Sequence, residues 1–103
     1  MSGKSSSRGR LAWTVYLLRC RDGSLYTGIT NDLARRLNAH ATGRGSRYTR
    51  SRLPVVLVYE ERRATKSRAL VREAAIKRLT KRQKESLVAG LAPAVPKERR
   101  RPR

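Results

Sequence analysis

The sequence predicts an α+β domain, a small three-stranded antiparallel sheet flanked by helices in the order β-β-α-β-α-α. Three observations carry this prediction. Two β-rich runs flank a tight turn, a third apolar run follows later, and three segments show helical spacing or helix-capping residues. Such an order of strands and helices is typical of the α+β class. With 103 residues, the chain has room for one domain.

The first two strands are predicted to form a hairpin whose loop length decides which side chains share a face. Trp13–Cys20 and Leu25–Thr30 flank Arg21-Asp22-Gly23. A two-residue loop would put Tyr16 and Tyr26 on opposite faces of the sheet. A three-residue loop, with its glycine in the left-handed region, puts both tyrosines on one face. We predict the three-residue loop, because it also gathers an apolar core face, Val15, Leu17, Leu25 and Ile29.

The first predicted helix runs from about Leu33 to Ala41. Thr30-Asn31-Asp32 supplies N-cap residues immediately before it. Arg36 and His40 are four residues apart, so they lie on one face of this helix. An apolar stripe at helical spacing would face the sheet, and it consists of Leu33, Ala34, Leu37 and Ala41.

A glycine- and arginine-rich segment separates this helix from the third strand. Thr42–Leu53 is predicted to be a loop, and Pro54 ends it. Val55–Tyr59 is an almost continuous apolar run, the pattern of a strand buried on both faces, so we predict that it is the central strand. Glu60-Glu61 closes this strand.

Two further helices are predicted after the third strand. Thr65 can cap a helix from Lys66 to Leu79. Thr80 and Gln83 have capping-box spacing for a short helix that runs to Val88, with Gly90 after it as a stop. The core row of the longer helix is predicted to be Val71, Ala75 and Leu79, with Ala69 and Ile76 beside it.

The charge of the chain indicates a polyanionic partner. Lys and Arg number 26 against 7 acidic residues, a formal charge of +19. Residues 1–10 are predicted to be a disordered basic arm and 91–103 a disordered basic tail rich in Pro and Arg. Residues 11–90, the predicted folded domain, hold 18 basic and 6 acidic residues, which still leaves +12. Nucleic acid is therefore the expected partner.

The single cysteine and single histidine exclude several kinds of site. One Cys cannot form an internal disulfide, and one Cys with one His cannot form a structural zinc site. Cys20 is interpreted as a strand residue rather than a nucleophile. The sequence has no hydrophobic run long enough to span a membrane and no secretory signal, so we predict a cytoplasmic location.

Four residues on the hairpin and first helix have side chains suited to phosphodiester hydrolysis. This reaction needs a base for water, positive charge on the phosphate, a proton for the leaving oxygen and usually a metal held by carboxylate. Tyr16 and Tyr26 would lie together next to Gly28, where a backbone can approach closely. A tyrosine hydroxyl, with a pKa of about 10, acts as a base only where cations stabilise its anion. Arg36 is such a cation, and His40 titrates near neutral pH.

Glu73 is the candidate metal ligand, because the acidic residues are scattered and any metal would rest on one protein carboxylate. Mg²⁺ tolerates such a site when water and phosphate oxygens complete its shell. From spacing alone, a surface ion pair with Lys77 is the slightly stronger interpretation of Glu73. Arg52 belongs to the arginine-rich loop Thr42–Leu53, which would contact successive phosphates of a nucleic-acid backbone. The residues predicted to contact nucleic acid are Arg35, Arg44, Arg47, Tyr48, Arg50, Lys77 and Lys81.

These residues occur in an order that resembles the GIY-YIG nuclease superfamily. Thr14-Val15-Tyr16, followed by Tyr26-Thr27-Gly28, is similar to its paired signature. Arg36 and His40 match positions of its catalytic helix, and Glu73 matches its metal-binding glutamate. The resemblance covers residues 13–88, and it is strongest to the small stand-alone bacterial members. The signature words are short, so the ordered set carries the resemblance.

The resemblance implies a one-metal endonuclease that hydrolyses DNA with low sequence specificity, including a structure-selective role in repair or recombination. Tyr16 or Tyr26 would activate the water, with Tyr26 favoured. Arg36 would stabilise the charge of the pentacovalent phosphorane, and His40 would assist proton transfer or orient the phosphate. Glu73 would hold Mg²⁺ or Mn²⁺. Neither a small-molecule cofactor nor a membrane is implied.

The sequence departs from the family pattern late in the fold. Many members carry an asparagine there, and the region after Glu73 has none, so Lys77 or Lys81 would have to substitute. The alternative to an enzyme is a non-catalytic basic module that binds DNA or structured RNA, because both classes share the cationic surface. Metal-dependent cleavage that is lost on replacing Glu73 separates the two.

Overall fold

The computed structural model describes residues 12–90, which form one antiparallel sheet and four helices. The strands are β1 (Trp13–Arg19), β2 (Leu25–Thr30) and β3 (Val56–Arg63), arranged in the order β2-β1-β3. The helices are α1 (Leu33–Ala41), the single-turn α2 (Arg47–Arg50), α3 (Lys66–Lys77) and α4 (Lys81–Val88). The predicted α+β class is confirmed. The predicted terminal arms, residues 1–10 and 91–103, lie outside the described residues.

The hairpin of β1 and β2 has the register that the three-residue loop predicts. Tyr16 lies opposite Gly28, and Leu18 lies opposite Tyr26. Gly23 has a φ of +86°, the left-handed conformation that glycine adopts without a steric penalty. Because side chains alternate along a strand, both tyrosines point to the same face of the sheet.

The hydrophobic core lies between the other face of the sheet and α3. Val15 and Leu17 of β1 pack against Ala69 and Ile76 of α3, and all four are fully buried. Ile29 of β2 packs against this cluster as predicted. Burial of four such side chains is the main force that holds α3 on the sheet.

The prediction that the third strand is central was wrong. β1 is the central strand, since β2 and β3 both pair with it, and its residues from Thr14 to Leu18 are buried. β3 is an edge strand whose Val56 is 58% exposed. An apolar run indicates burial on average, but it does not fix strand order: the hairpin of β1 and β2 leaves only its two outer edges free, so β3 can pair at an edge and cannot lie between them.

The predicted core row of α3 was also wrong at one position. Val71 is 72% exposed, whereas Ala69 and Ile76 are fully buried. These two residues are seven apart, or two helical turns, so they define the face of α3 that meets the sheet. Val71 lies two residues from Ala69, which is roughly 200° around the helix, so it points away from the sheet.

The helix caps follow the sequence signals closely. Asp32, Thr65 and Thr80 cap α1, α3 and α4, each accepting a hydrogen bond from a backbone amide three residues on, and Thr80 forms the predicted capping box with Gln83. The segment predicted as a loop contains α2, which Ser46 caps in the same way. Within residues 12–90, none of the helices is long and apolar enough to cross a membrane.

An ion pair between Arg19 of β1 and Glu85 of α4 links this helix to the sheet, and its contribution to the free energy of unfolding can be measured. Two hydrogen bonds of 2.5 and 2.7 Å join the guanidinium to the carboxylate, and they lower the pKa of Glu85 to about 2. Both side chains are about one-third exposed, so solvent screens the pair. We expect Glu85→Gln to lower the free energy of unfolding by about 0.5–1 kcal/mol at neutral pH.

The sign of the pH dependence follows from the depressed pKa of Glu85. The contribution is fully present above the ordinary carboxyl pKa of 4.5 and is lost as the pH falls through about 2. Urea unfolding at neutral pH and at a pH below that folded value measures both limits. The control is Glu60→Gln, an exposed carboxylate on β3. A difference between native protein and Glu85→Gln that persists at the acid limit would contradict the ion-pair account.

Candidate active site

A buried hydrogen bond joins β1 to α1 at the centre of the site. The hydroxyl of Tyr16 lies 3.0 Å from Nε2 of His40, and the two residues are 1% and 0% exposed. Tyr16 lies over Gly28, where the Cβ of any other residue would stand 2.5 Å from the tyrosine hydroxyl. Gly28 is therefore needed so that the Tyr16 ring can reach across β2 to the histidine.

A chain of hydrogen bonds continues from His40 into α2. Nδ1 of His40 lies 2.8 Å from the hydroxyl of Thr49, which lies 2.9 Å from the hydroxyl of Ser46. Thr49 is fully buried. A Cβ on Gly45 would overlap the imidazole ring, so this glycine makes the room that His40 occupies. The single turn of α2 thus supplies the second partner of the histidine.

His40 is neutral at neutral pH. Burial lowers the pKa of His40, and the positive charge of Arg36 lowers it further. A neutral imidazole has one donor and one acceptor nitrogen. The geometry allows the Tyr16 hydroxyl to donate to Nε2 while Nδ1 donates to Thr49, whose hydroxyl can donate to the Ser46 carbonyl oxygen 3.4 Å away.

Tyr16 is protonated when no ligand is bound. Burial raises the pKa of the Tyr16 hydroxyl, and the charges of Tyr26 and Glu73 act in the same direction. Arg36 opposes them, because its guanidinium favours the phenolate. The half-buried guanidinium of Arg36 is held by a hydrogen bond of 2.6 Å from Nη2 to the carbonyl oxygen of Gly45. Arg36 is therefore a fixed cation beside the tyrosines.

Tyr26 borders an open cleft next to this buried pair. Its ring centroid is 5.3 Å from that of His40 and 6.5 Å from that of Tyr16. Tyr48 of α2 stacks with Tyr26 at 6.0 Å and an interplanar angle of 24°. The cleft has a volume of about 340 Å³ and is lined by Leu25, Tyr26, Thr27, Tyr48, Lys77 and Lys84.

Glu73 of α3 pairs with Lys77, as its spacing predicted. Lys77 Nζ is 3.3 Å from the carboxylate, whose side chain is only 17% exposed. The charge of Glu73 also acts on Tyr16, as the pKa of that hydroxyl shows. The Glu73 carboxylate therefore belongs to the electrostatic environment of Tyr16, and the Lys77 ammonium already lies against it.

The residues predicted to contact nucleic acid lie in three different environments. Lys77 lines the cleft beside Tyr26, and Tyr48 is 38% exposed. Lys81 donates to the Gly23 carbonyl oxygen at 2.7 Å and lies 3.3 Å from Glu85, so it is engaged in holding α4 to the hairpin turn. The remaining four are exposed side chains of α1, α2 and the loop between them, namely Arg35, Arg44, Arg47 and Arg50.

Sequence reasoning missed several residues that complete the site. Thr49 holds the histidine, and the spacing of Ser46 and Thr49, typical of a helix N-cap, is the signal that would have shown a helical turn there. Gly45 had no sequence signal, because its role depends on where His40 lies. Lys84 of α4 also lines the cleft, although it is far in sequence from Tyr26 and Tyr48.

Comparison with known proteins places this geometry in a family. The family model described as "GIY-YIG catalytic domain" matches residues 12–86. A UPF0213 protein of Desulfotalea psychrophila is 52% identical over 80 residues, which are 77% of this chain and 73% of the relative. A UPF0213 protein of Cupriavidus necator is 48% identical over 85 residues, 82% of this chain and 92% of the relative.

Two solved structures share the fold. The solution NMR structure of a UPF0213 protein from Bacillus halodurans is 42% identical, with a TM-score of 0.52, and covers 81% of this chain and 88% of its own. The solution NMR structure of a protein from E. faecalis is 37% identical, with a TM-score of 0.55, and covers 85% of this chain and 94% of its own. These similarities confirm the family resemblance that the ordered set of residues indicated.

The protonation state of His40 is directly measurable, because it is the only histidine in the sequence. We expect its imidazole NMR signals to titrate below the ordinary pKa of 6.5. Arg36→Gln removes one of the two causes and raises the His40 pKa. Arg35→Gln, on the exposed side of α1, is the matched control and leaves it unchanged.

The same shift predicts a pH dependence of stability. Between the lowered folded pKa of His40 and the unfolded value of 6.5, the unfolded chain binds a proton that the folded chain does not. The free energy of unfolding therefore falls as the pH drops below 6.5 and levels off below the folded pKa. A His40 pKa above 6.5 in the native protein would refute the neutral, buried imidazole.

Proposed function

Because this chain belongs to the GIY-YIG nuclease family, we propose that it is a metal-dependent endonuclease that hydrolyses DNA with low sequence specificity. The observation that carries the proposal is the buried hydrogen bond between Tyr16 and His40, with Arg36 fixed beside it. A cation, a neutral histidine and a tyrosine at one point supply charge stabilisation and proton transfer for phosphodiester hydrolysis. The proposal includes a cytoplasmic, structure-selective role in repair or recombination.

Glu73 is the proposed metal ligand, because it is the carboxylate whose negative charge acts on the Tyr16 hydroxyl. Nucleases of the family are generally metal-dependent. Residues 12–90 contain no group of three or more His, Cys, Asp and Glu side chains that could enclose a metal. Mg²⁺ and Mn²⁺ bind sites with one carboxylate, where water and substrate oxygens complete the shell. When bound, the metal supplies positive charge to the phosphate and lowers the pKa of its water.

The hydrogen bond to His40 favours Tyr16 over Tyr26 as the group that activates water. Tyr16 can pass its proton to Nε2 of His40 at 3.0 Å, and Arg36 stabilises the phenolate that remains. The phenolate then takes a proton from the attacking water. The imidazolium is disfavoured beside Arg36, so a bound phosphodiester helps by bringing negative charge close to both cations.

The exposed arginines around α2 are proposed to hold the DNA backbone. Arg44, Arg47 and Arg50 lie on the segment that also carries Tyr48 and the histidine partner Thr49. Such contacts fix phosphates relative to the reactive groups and carry no sequence information directly. This is the physical reason to expect low sequence specificity.

A non-catalytic nucleic-acid-binding module is the second candidate function. The ion pair between Glu73 and Lys77 favours it, because it neutralises the only carboxylate proposed to hold metal. The chain also has no asparagine after Glu73, where many family members carry one. Such a module would bind DNA or structured RNA through the same cationic surface.

The first test is metal-dependent cleavage of end-labelled duplex, flap and four-way-junction DNA at low salt, with and without Mg²⁺ or Mn²⁺. We expect products with the native protein and a loss of at least about a hundredfold with Glu73→Gln, since one carboxylate anchors the metal. Glu85→Gln removes the same charge from α4 and keeps activity. Equal DNA binding by all proteins without any product would favour the non-catalytic module.

The second test separates the two tyrosines. Tyr16→Phe removes the hydroxyl that bonds His40 and keeps the ring, so we expect a loss of about 10²–10⁴-fold in the single-turnover rate. Tyr26→Phe should lose distinctly less. The reverse order would make Tyr26 the base, as the family resemblance first suggested.

A further inference from the structure

A second cleft lies beyond the active site, where the aromatic contacts end on a flat cation. Tyr48 stacks with Tyr26, and the guanidinium carbon of Arg52 lies 3.8 Å from the centroid of the Tyr48 ring. The series Arg52, Tyr48, Tyr26 and His40 therefore runs from the surface to the buried histidine through consecutive ring contacts. The guanidinium is the outermost member of this series.

The plane of the Arg52 guanidinium is held in place by several hydrogen bonds. Nε donates to the carboxylate of Asp22 at 3.0 Å, and Nη1 donates to the Tyr48 carbonyl oxygen at 2.9 Å and to the Ser51 hydroxyl at 3.2 Å. Asp22 is fixed in turn, since its other oxygen accepts bonds of 3.0 and 2.6 Å from the amide and hydroxyl of Ser24. The cation is therefore pre-organised, and ordering it costs little on binding.

The lining of the cleft indicates the chemistry of its ligand. Arg21, Asp22, Ser51 and Arg52 surround a volume of about 460 Å³. The hydrogen bonds from Ser24 and Arg52 lower the pKa of Asp22, so an ionised carboxylate stands among the arginines. A carboxylate repels a bare phosphate, but it accepts hydrogen bonds from the amino groups of nucleobases. Arginine planes are stacking surfaces for unpaired bases.

We propose that this cleft binds an unpaired nucleobase of the DNA substrate, stacked on Arg52, with Arg21 on the adjoining phosphate. The inference rests on the proposed nuclease function and names its substrate class as DNA with a single-stranded segment beside the duplex. A base paired within a duplex is stacked on both sides and cannot place its face on the guanidinium. Recognition of this kind selects strand structure rather than sequence.

The test measures binding without metal, so that it is independent of cleavage. Fluorescence anisotropy in EDTA compares a short DNA duplex with the same duplex that carries a single-stranded overhang. Arg52→Lys keeps the positive charge and is long enough to reach Asp22, but it lacks the planar guanidinium on which a base would stack. We expect it to weaken binding of the overhang DNA about tenfold, the effect of losing one base stack, and to leave duplex binding within about twofold.

Arg50→Lys, in the exposed part of α2, is the matched control and should weaken both DNAs equally. Arg52→Lys that also weakens both equally would overturn the proposal and make Arg52 a plain phosphate contact. An RNA overhang bound more tightly than the DNA overhang would overturn the assignment to DNA. Absence of cleavage by the native protein would overturn the nuclease proposal. It would not affect these binding results, because they are measured without metal.

A measurement on the native protein covers the case in which Arg52→Lys fails to fold. NMR titration with a short single-stranded DNA should shift the Arg52 Nε–H signal and the Ser51 amide signal. The blunt duplex should leave these two signals in place while it shifts signals of the exposed arginines around α2. Identical shifts with both DNAs would overturn the proposal.

Discussion

The need to satisfy both nitrogens of a fully buried imidazole organises the site. His40 is 0% exposed, and an unpaired polar group at such depth is costly. Tyr16 of β1 satisfies Nε2, and Thr49 of α2 satisfies Nδ1. These two bonds fix α1 and α2 against the sheet, and they explain why Gly28 and Gly45 carry no side chain.

The electrostatics of the site suit a phosphodiester better than a neutral ligand. Burial and Arg36 both hold His40 neutral, and burial holds Tyr16 protonated, so the resting pair carries no charge while the guanidinium beside it does. In the proposed mechanism, an arriving phosphate group supplies the missing negative charge in a region of low dielectric, where such an interaction is strong. The proposal thereby couples substrate binding and proton transfer through the same three side chains.

The features that could be predicted from the sequence depend on local chemistry. The predictions that were wrong concern features that depend on packing between elements distant in sequence. Gly23 and strand alternation determine the hairpin register, and cap residues determine the helix starts, so these predictions are confirmed. The place of β3 at the edge and the exposure of Val71 depend on strand order and helix rotation, which single-sequence patterns do not encode. Strand alternation and helical spacing singled out Tyr16, Arg36 and His40, and the family resemblance then gave them roles, whereas Thr49 became evident only from the geometry.

The most direct measurement compares the pH dependence of chemistry with that of His40 itself. Single-turnover cleavage in the presence of Mg²⁺ or Mn²⁺ gives the pKa of the acid limb, and NMR of the protein–DNA complex without metal gives the pKa of the single histidine. If neutral His40 accepts the proton of Tyr16, the rate falls as the pH drops through a pKa that matches that of His40. A rate that stays constant while His40 becomes protonated would contradict the account.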